Sequence, residues 1–205
     1  MPYVAKEDRL VLDKSVTEAA ESICKNLIDT DGSAELSQFY RHAFMEIADV
    51  ILALETKKPI PSDTPAKRLA HEIVKVADKY GYKGDFDGEL NYSITRLIQV
   101  VPQNMVDRGI WKEAFRYWIY AQTAGALTRI PLEIHDKYRD NDSWIIDGLI
   151  GVFNDIKDEY KRRVNTAYEA VQIDKTGDCY DTPYHTDLVK TKDGYQEIMK
   201  DHRKK

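Results

Sequence analysis

The sequence predicts an all-α fold, a bundle of five to six helices with an extended N-terminal arm and a polar C-terminal tail. Three observations predict it. Apolar residues recur every three or four positions through several long segments, which lays a stripe along one side of a helix. Clusters of Gly, Pro, Asp and Ser separate these segments at helix-sized intervals. No alternation of apolar and polar residues reaches comparable length, so strands are not expected. The 205 residues are read as one domain, with an arm over 1–13, the bundle over 14–173 and the tail over 174–205.

Met1 to Asp13 carries Pro2 and a polar cluster and reads as the arm, with Asp13 or Ser15 as N-cap of a helix from about Lys14 to Ile28. Asp31-Gly32-Ser33 ends that helix. Leu36, Tyr40, Ala43, Ile47, Val50 and Leu54 then mark a long amphipathic helix. Lys57 to Pro65 holds three prolines and reads as a loop, after which Pro65 or Ala66 opens a third helix to Tyr80, with Leu69, Ile73 and Val76 on its apolar side. The glycines and aspartates of Gly81 to Gly88 suit a hinge or a ligand-facing loop. A fourth helix runs from Glu89 to about Val101, where Pro102 interrupts it, and Ile110 to Asp140 is further helix with a break or kink at Pro131. Asn141-Asp142-Ser143 caps a last helix from Trp144 to about Val171, striped by Ile145, Leu149, Val152, Phe153, Ile156, Tyr160 and Val164. From Asp174 the chain is polar and turn-rich and reads as extended, up to a short basic end at Lys200 to Lys205.

Charge narrows the function classes. With 35 acidic and 30 basic residues the net charge is -5, which disfavours nucleic acid or anionic lipid as a non-specific partner. Cys24 and Cys179 are far apart and lack a metal-type neighbour, which indicates neither a disulfide framework nor a zinc site and fits a cytoplasmic protein. The apolar stretches at Val50 to Leu54 and Trp144 to Phe153 are too short to span a bilayer.

Three constellations have residue types suited to chemistry. Glu18 with Glu21, and Glu46 with Asp49, are each three apart on one helix face, and two such pairs facing each other would hold magnesium, with His42 one turn before Glu46. Solvated faces that steady their own helices are the alternative. Asn91, Tyr92, Thr95 and Arg96 bring amide, hydroxyl and guanidinium groups to one patch suited to a phosphate, a base edge or a carboxylate, or else to a buried network between helices. Asp155, Glu159 and Arg162 share a face at intrahelical ion-pair spacing, while Arg163, flanked by Tyr160 and Val164, is expected to be partly buried and in need of an anionic partner.

Glu46-Ile47-Ala48-Asp49-Val50-Ile51-Leu52 with Glu18-Ala19-Ala20-Glu21 resembles the paired-acid motif of the MazG-like all-α nucleotide pyrophosphatases. That resemblance implies magnesium on four carboxylates, bridging the phosphates of a nucleoside triphosphate. A second resemblance spans more of the chain. Met1-Pro2-Tyr3-Val4 with Glu7-Asp8-Arg9, the Gly88-Glu89-Leu90-Asn91-Tyr92 run, Glu159-Tyr160-Lys161-Arg162-Arg163 and Gly177-Asp178-Cys179-Tyr180 together resemble a small prokaryotic and phage domain family of unknown function. The chain has Asn154-Asp155 where members tend to have Glu-Cys, and it is longer, with additional helical sequence before Gly88 and between Val101 and Trp144. The resemblance implies fold and site residues and no reaction.

The leading expectation is non-enzymatic binding of a small anionic ligand, most plausibly a nucleotide, by Asn91, Tyr92, Arg96, Glu159, Arg163, Asp178 and Tyr180, for instance as a phage-type sponge for a nucleotide signal. A helical interaction protein and the magnesium-dependent hydrolase are the alternatives. Trp111, Phe115, Tyr117, Trp118 and Tyr120 point in nearly every helical direction; Phe115 and Trp118 are expected in the core and the others at the interface of a homo-oligomer. No catalytic triad or glycine-rich phosphate loop follows from spacing, so no catalytic residue is assigned.

Overall fold

A computed structural model describes residues 4–30, 36–55, 60–81, 85–112, 115–141, 143–166, 185–191 and 194–200. The chain divides into two compact units, Met1–Val164 and Asn165–Lys205, where the sequence reading expects one domain.

The first unit is an all-α bundle. Its six α-helices among the described residues are α1 (Lys6–Asp29), α2 (Leu36–Glu55), α3 (Pro65–Lys79), α4 (Asp87–Asp107), α5 (Arg116–Tyr138) and α6 (Trp144–Tyr160), the last running into a π-helical turn at Lys161–Asn165. Packing neighbours follow the order α1, α4, α6, α5, α2, α3 and back to α1, so the helices close a ring around one core. Each apolar stripe faces inward, and Leu36, Tyr40, Ala43, Ile47 and Val50 of α2, Leu69, Ile73 and Val76 of α3, and Leu149, Val152, Phe153 and Ile156 of α6 are all buried. At the centre Tyr40 stacks on Phe44 at 5.6 Å, and Phe44 meets Phe153 at 5.4 Å between ring centroids.

Local chemistry sets the helix ends. Thr64 Oγ1 accepts from the Lys67 N–H (3.2 Å) with Pro65 at the first helical position, and Ser143 Oγ accepts from the Ile145 N–H (3.2 Å). Gly109, at φ +70°, ends α4. Its N–H donates to the Val106 carbonyl (2.8 Å) and the Ile110 N–H donates to Met105 (3.0 Å), the paired bonds of a Schellman motif.

Four expectations are corrected. The arm over 1–13 gives way to helix at Lys6, because α1 continues its buried stripe through Asp8, a charged residue at a core-facing position. Helix α4 passes through Pro102, which removes one N–H from the ladder, while Ile98, Val101 and Met105 remain buried on either side. Helix α5 starts at Arg116 and not at Ile110, because the glycine-terminated end of α4 reaches Ile110, and it continues through Pro131. In the second unit β1 (His185–Thr191) and β2 (Gly194–Lys200) pair antiparallel from His185↔Lys200 to Thr191↔Gly194. The polar sequence hid this hairpin, although an Asp-Gly step at Asp193-Gly194, where the second strand begins, is a turn signal. Among the described residues no helix is long and apolar enough to cross a membrane.

Candidate functional site

The acidic pairs do not converge. Glu18 lies 3.5 Å from the Arg68 Nε of α3, and Glu21 accepts from Asn104 (3.2 Å) and Arg108 at the end of α4. Glu46 accepts from the Thr64 hydroxyl (3.0 Å), with His42 Nε2 at 3.8 Å, and Asp49 accepts from Lys137 (2.7 Å) and Tyr138 (2.5 Å) of α5. Each carboxylate is spent on its own helix seam. Among the described residues no group of three or more His, Cys, Asp or Glu side chains is gathered to hold a metal ion.

These contacts also fix helix directions. Pairs 8 with 79 and 18 with 68 run α1 and α3 antiparallel, whereas 13 with 96 and 21 with 108 run α1 and α4 parallel. Asp8, almost wholly buried, accepts from Lys79 (2.8 Å) and from the Tyr80 hydroxyl, which together hold its carboxyl below the usual range. Glu89 is buried nearby in the first turn of α4, and its desolvation, with Asp85, Asp8 and Asp87 around it, pushes its carboxyl upward.

The proposed ligand residues fall into two separate sets. Tyr92 donates to Asp13 (3.0 Å) and carries the Arg9 guanidinium 5.6 Å above its ring; Arg96 Nε donates to the same carboxylate (3.3 Å) and its NH1 to Gln99 (3.1 Å). Asn91 accepts from Thr95 on its own helix (3.5 Å). At the far end of α6, Glu159 binds Arg162 in a two-bond fork (2.7 and 2.8 Å) and also Arg163, and these guanidiniums lower its carboxyl to about 2. Arg163 is 58 % exposed, so the expected partial burial is corrected: the π-helical turn carries it outward, and its anionic partner is one turn back on the same helix. Asp178 and Tyr180 lie outside the described residues.

A mainly apolar space suited to a ligand lies farther along α4. A groove of about 640 Å³ opens where α4, α5 and α6 meet. Ile98, Pro102 and Val106 line it from α4, Ile119 from α5, and Tyr160 and Val164 from α6 and the turn beyond; Gln99, Gln103, Lys112 and Arg116 form its polar rim. Tyr160 is fixed by stacking on Tyr120 at 5.7 Å with rings 9° from parallel. One motif residue, Tyr160, thus lines the groove, and Arg96 touches its rim through Gln99. Gln99 with Gln103 and Ile98 with Pro102 are the i,i+4 rows that held the signal in the sequence, but Pro102 read as a helix end divided them.

The aromatic segment above the groove is mixed. Trp111 is buried and meets Trp118 edge-on at 5.5 Å; Phe115, expected in the core, is 37 % exposed because it precedes α5 instead of lying within it, and Tyr117 is exposed. No curated protein and no solved structure matches the chain. A family model described as "Domain of unknown function (DUF6899)" matches residues 1–141, which include the Met-Pro-Tyr opening and the Gly88 to Tyr92 run, and the chain belongs to that uncharacterised family.

Proposed function

We propose that the protein is a non-enzymatic receptor for a small amphipathic anion, with a nucleotide as the class that fits best. The groove at the junction of α4, α5 and α6 carries this reading. Its volume, about 640 Å³, is in the range of small-ligand sites, and it joins an apolar floor to a rim with an ammonium and a guanidinium. A base packs on Ile98, Pro102 and the edge of Tyr160, while Lys112 and Arg116 face its phosphates. With no catalytic residue assigned, such a receptor acts by sequestering its ligand.

Calorimetric titration with nucleoside mono-, di- and triphosphates tests this. The doubly reversed variant Lys112→Glu, Arg116→Glu is expected to lose at least about tenfold in affinity, roughly 1.4 kcal/mol, with little change in melting temperature because both side chains are exposed. Equal affinity in wild type and variant would refute the site.

A second reading, a helical interaction protein, is favoured by a specific feature. Val106, Ile110, Phe115 and Val164 are each exposed by more than a third, and Val106 and Val164 both line the groove. If this surface pairs two copies, light scattering gives a mass above the 23.7 kDa of one chain, and Val106→Glu returns it to that value.

A further inference from the structure

We propose that the seam between α2 and α5 holds a second anion site, in which Arg41 and Arg129 grip one phosphoryl group from facing helices. Ser37 and Arg41 stand four apart on α2, and Gln122, Gly125 and Arg129 stand at three- and four-residue spacing on α5; all five line a pocket of about 370 Å³. The two rows are tied at one end by the Ser37 N–H donating to Gln122 Oε1 (3.2 Å). The helices are close here: a Cβ built at Gly125 would stand in ordinary van der Waals contact with Ser37 Oγ, at 3.8 Å.

Charge is left over in this seam. Glu133 is four residues beyond Arg129, the spacing of an ordinary intrahelical ion pair, yet it reaches across to Arg41 NH1. The one carboxylate therefore serves Arg41 and leaves Arg129 without it. Arg41 uses a single nitrogen on it, and its Nε is buried without a hydrogen-bond partner. Arg129 has no hydrogen-bond or ion-pair partner among the described residues. A buried guanidinium N–H without an acceptor is costly, and like charges lining one pocket repel. An oxyanion with several acceptors relieves both, and phosphoryl oxygens match the guanidinium fork. The pocket is larger than a bare phosphate needs, so a phosphomonoester is the class that fits.

The test follows the backbone amides of Ser37, Gln38 and Gly125 by NMR in the full chain while inorganic phosphate, glycerol phosphate or acetate is added. Saturable shifts are expected with the two phosphates, tighter for the ester. Arg129→Ala should weaken binding at least tenfold and Arg129→Lys less, and the Lys112→Glu, Arg116→Glu variant should bind as wild type does, which separates this site from the groove. Shifts that never saturate, acetate binding as tightly as phosphate, or equal binding in Arg129→Ala and wild type would each overturn the proposal. Arg129 is exposed, so these variants leave the folded state intact.

Discussion

Four acids of α1, Asp8, Asp13, Glu18 and Glu21, each reach across to a neighbouring helix, whereas the charged groups of α6 close on the same chain segment, Glu159 in ion pairs with Arg162 and Arg163 and Lys157 in a hydrogen bond to the Asn154 amide oxygen. Among the described residues α6 makes no ion pair to another helix. The two regions use the same residue types. Along α1 the acids are consumed in holding the ring together, and the space of about 700 Å³ beside Leu10, Lys14 and Glu18 is rimmed by the Glu18–Arg68 pair that joins α1 to α3. At the end of α6 they satisfy one another locally, which leaves the junction with α4 and α5 open and largely apolar. Residue type does not mark a site; the distance to the nearest internal partner does.

The largest effect that sharpens this contrast comes from Asp8. Its carboxylate is almost wholly buried and bonded twice, so Asp8→Ala is expected to destabilise by roughly 2–3 kcal/mol, read as a drop in the urea midpoint at unchanged slope. A loss below about 0.5 kcal/mol would mean that the α1 seams are solvated surface pairs, and the contrast with α6 would collapse. Next is Tyr92→Phe, which deletes the bond to Asp13 and is expected to cost about 1 kcal/mol. In a cycle with Asp13→Ala, which removes the acceptor, that cost should vanish, whereas Arg96→Ala, a more exposed partner of the same carboxylate, should stay within about 0.5 kcal/mol.

The contrast also explains what the sequence revealed. The stripes of α2, α3 and α6 are apolar at each inward position, so their periodicity was complete and the all-α class followed from it. Helix α1 was read too short because its stripe opens with Asp8, which composition assigns to an arm. Glu18, Glu21, Glu46 and Asp49 stood out by spacing, but spacing fixes only the face of one helix, and the neighbouring helix on that face supplied a cation, an amide or a hydroxyl to each. The groove escaped notice for the converse reason. Its floor comes from three helices, a proline at position 102 divides the α4 row in the sequence, and the stop signal that ends that helix is Gly109, seven residues farther on.

Acid titration separates the seams by sign. Burial raises Glu89, so the folded state takes up this proton at a higher pH than the unfolded chain, and stability increases as pH falls from neutrality through the raised value toward the ordinary carboxylate range near 4.3. Asp8 behaves in the opposite way. Its lowered carboxyl contributes stability that is complete above its unfolded value near 3.9 and is lost as pH falls through the folded one. Melting temperature should therefore rise in mild acid and then fall. Glu89→Gln should raise stability at pH 7 and flatten the rise, while Asp8→Asn should blunt the fall. A rise that survives in Glu89→Gln would assign it to another raised acid, with Asp87, whose carboxyl is pushed up by partial desolvation beside Asp85 and Asp155, next to be tested.

The smallest effect lies at the groove. Lowering of the Glu159 carboxyl to about 2 means that it is fully ionised at neutral pH and absorbs much of the field of Arg162 and Arg163 beside Tyr160 and Val164, two residues of the groove lining. Glu159→Gln removes that counter-charge. Arg162 is exposed and Glu159 partly so, so the melting temperature should move little, but nucleotide affinity should increase by about two- to threefold, with the gain disappearing at high salt. A carboxylate that only steadied its own helix would show the reverse, a lower melting temperature with affinity unchanged. If the ligand instead enters between Tyr92 and Arg96, neither quantity should respond to Glu159, and Asp13→Ala, which removes the acceptor both side chains share, should be the variant that binds more tightly.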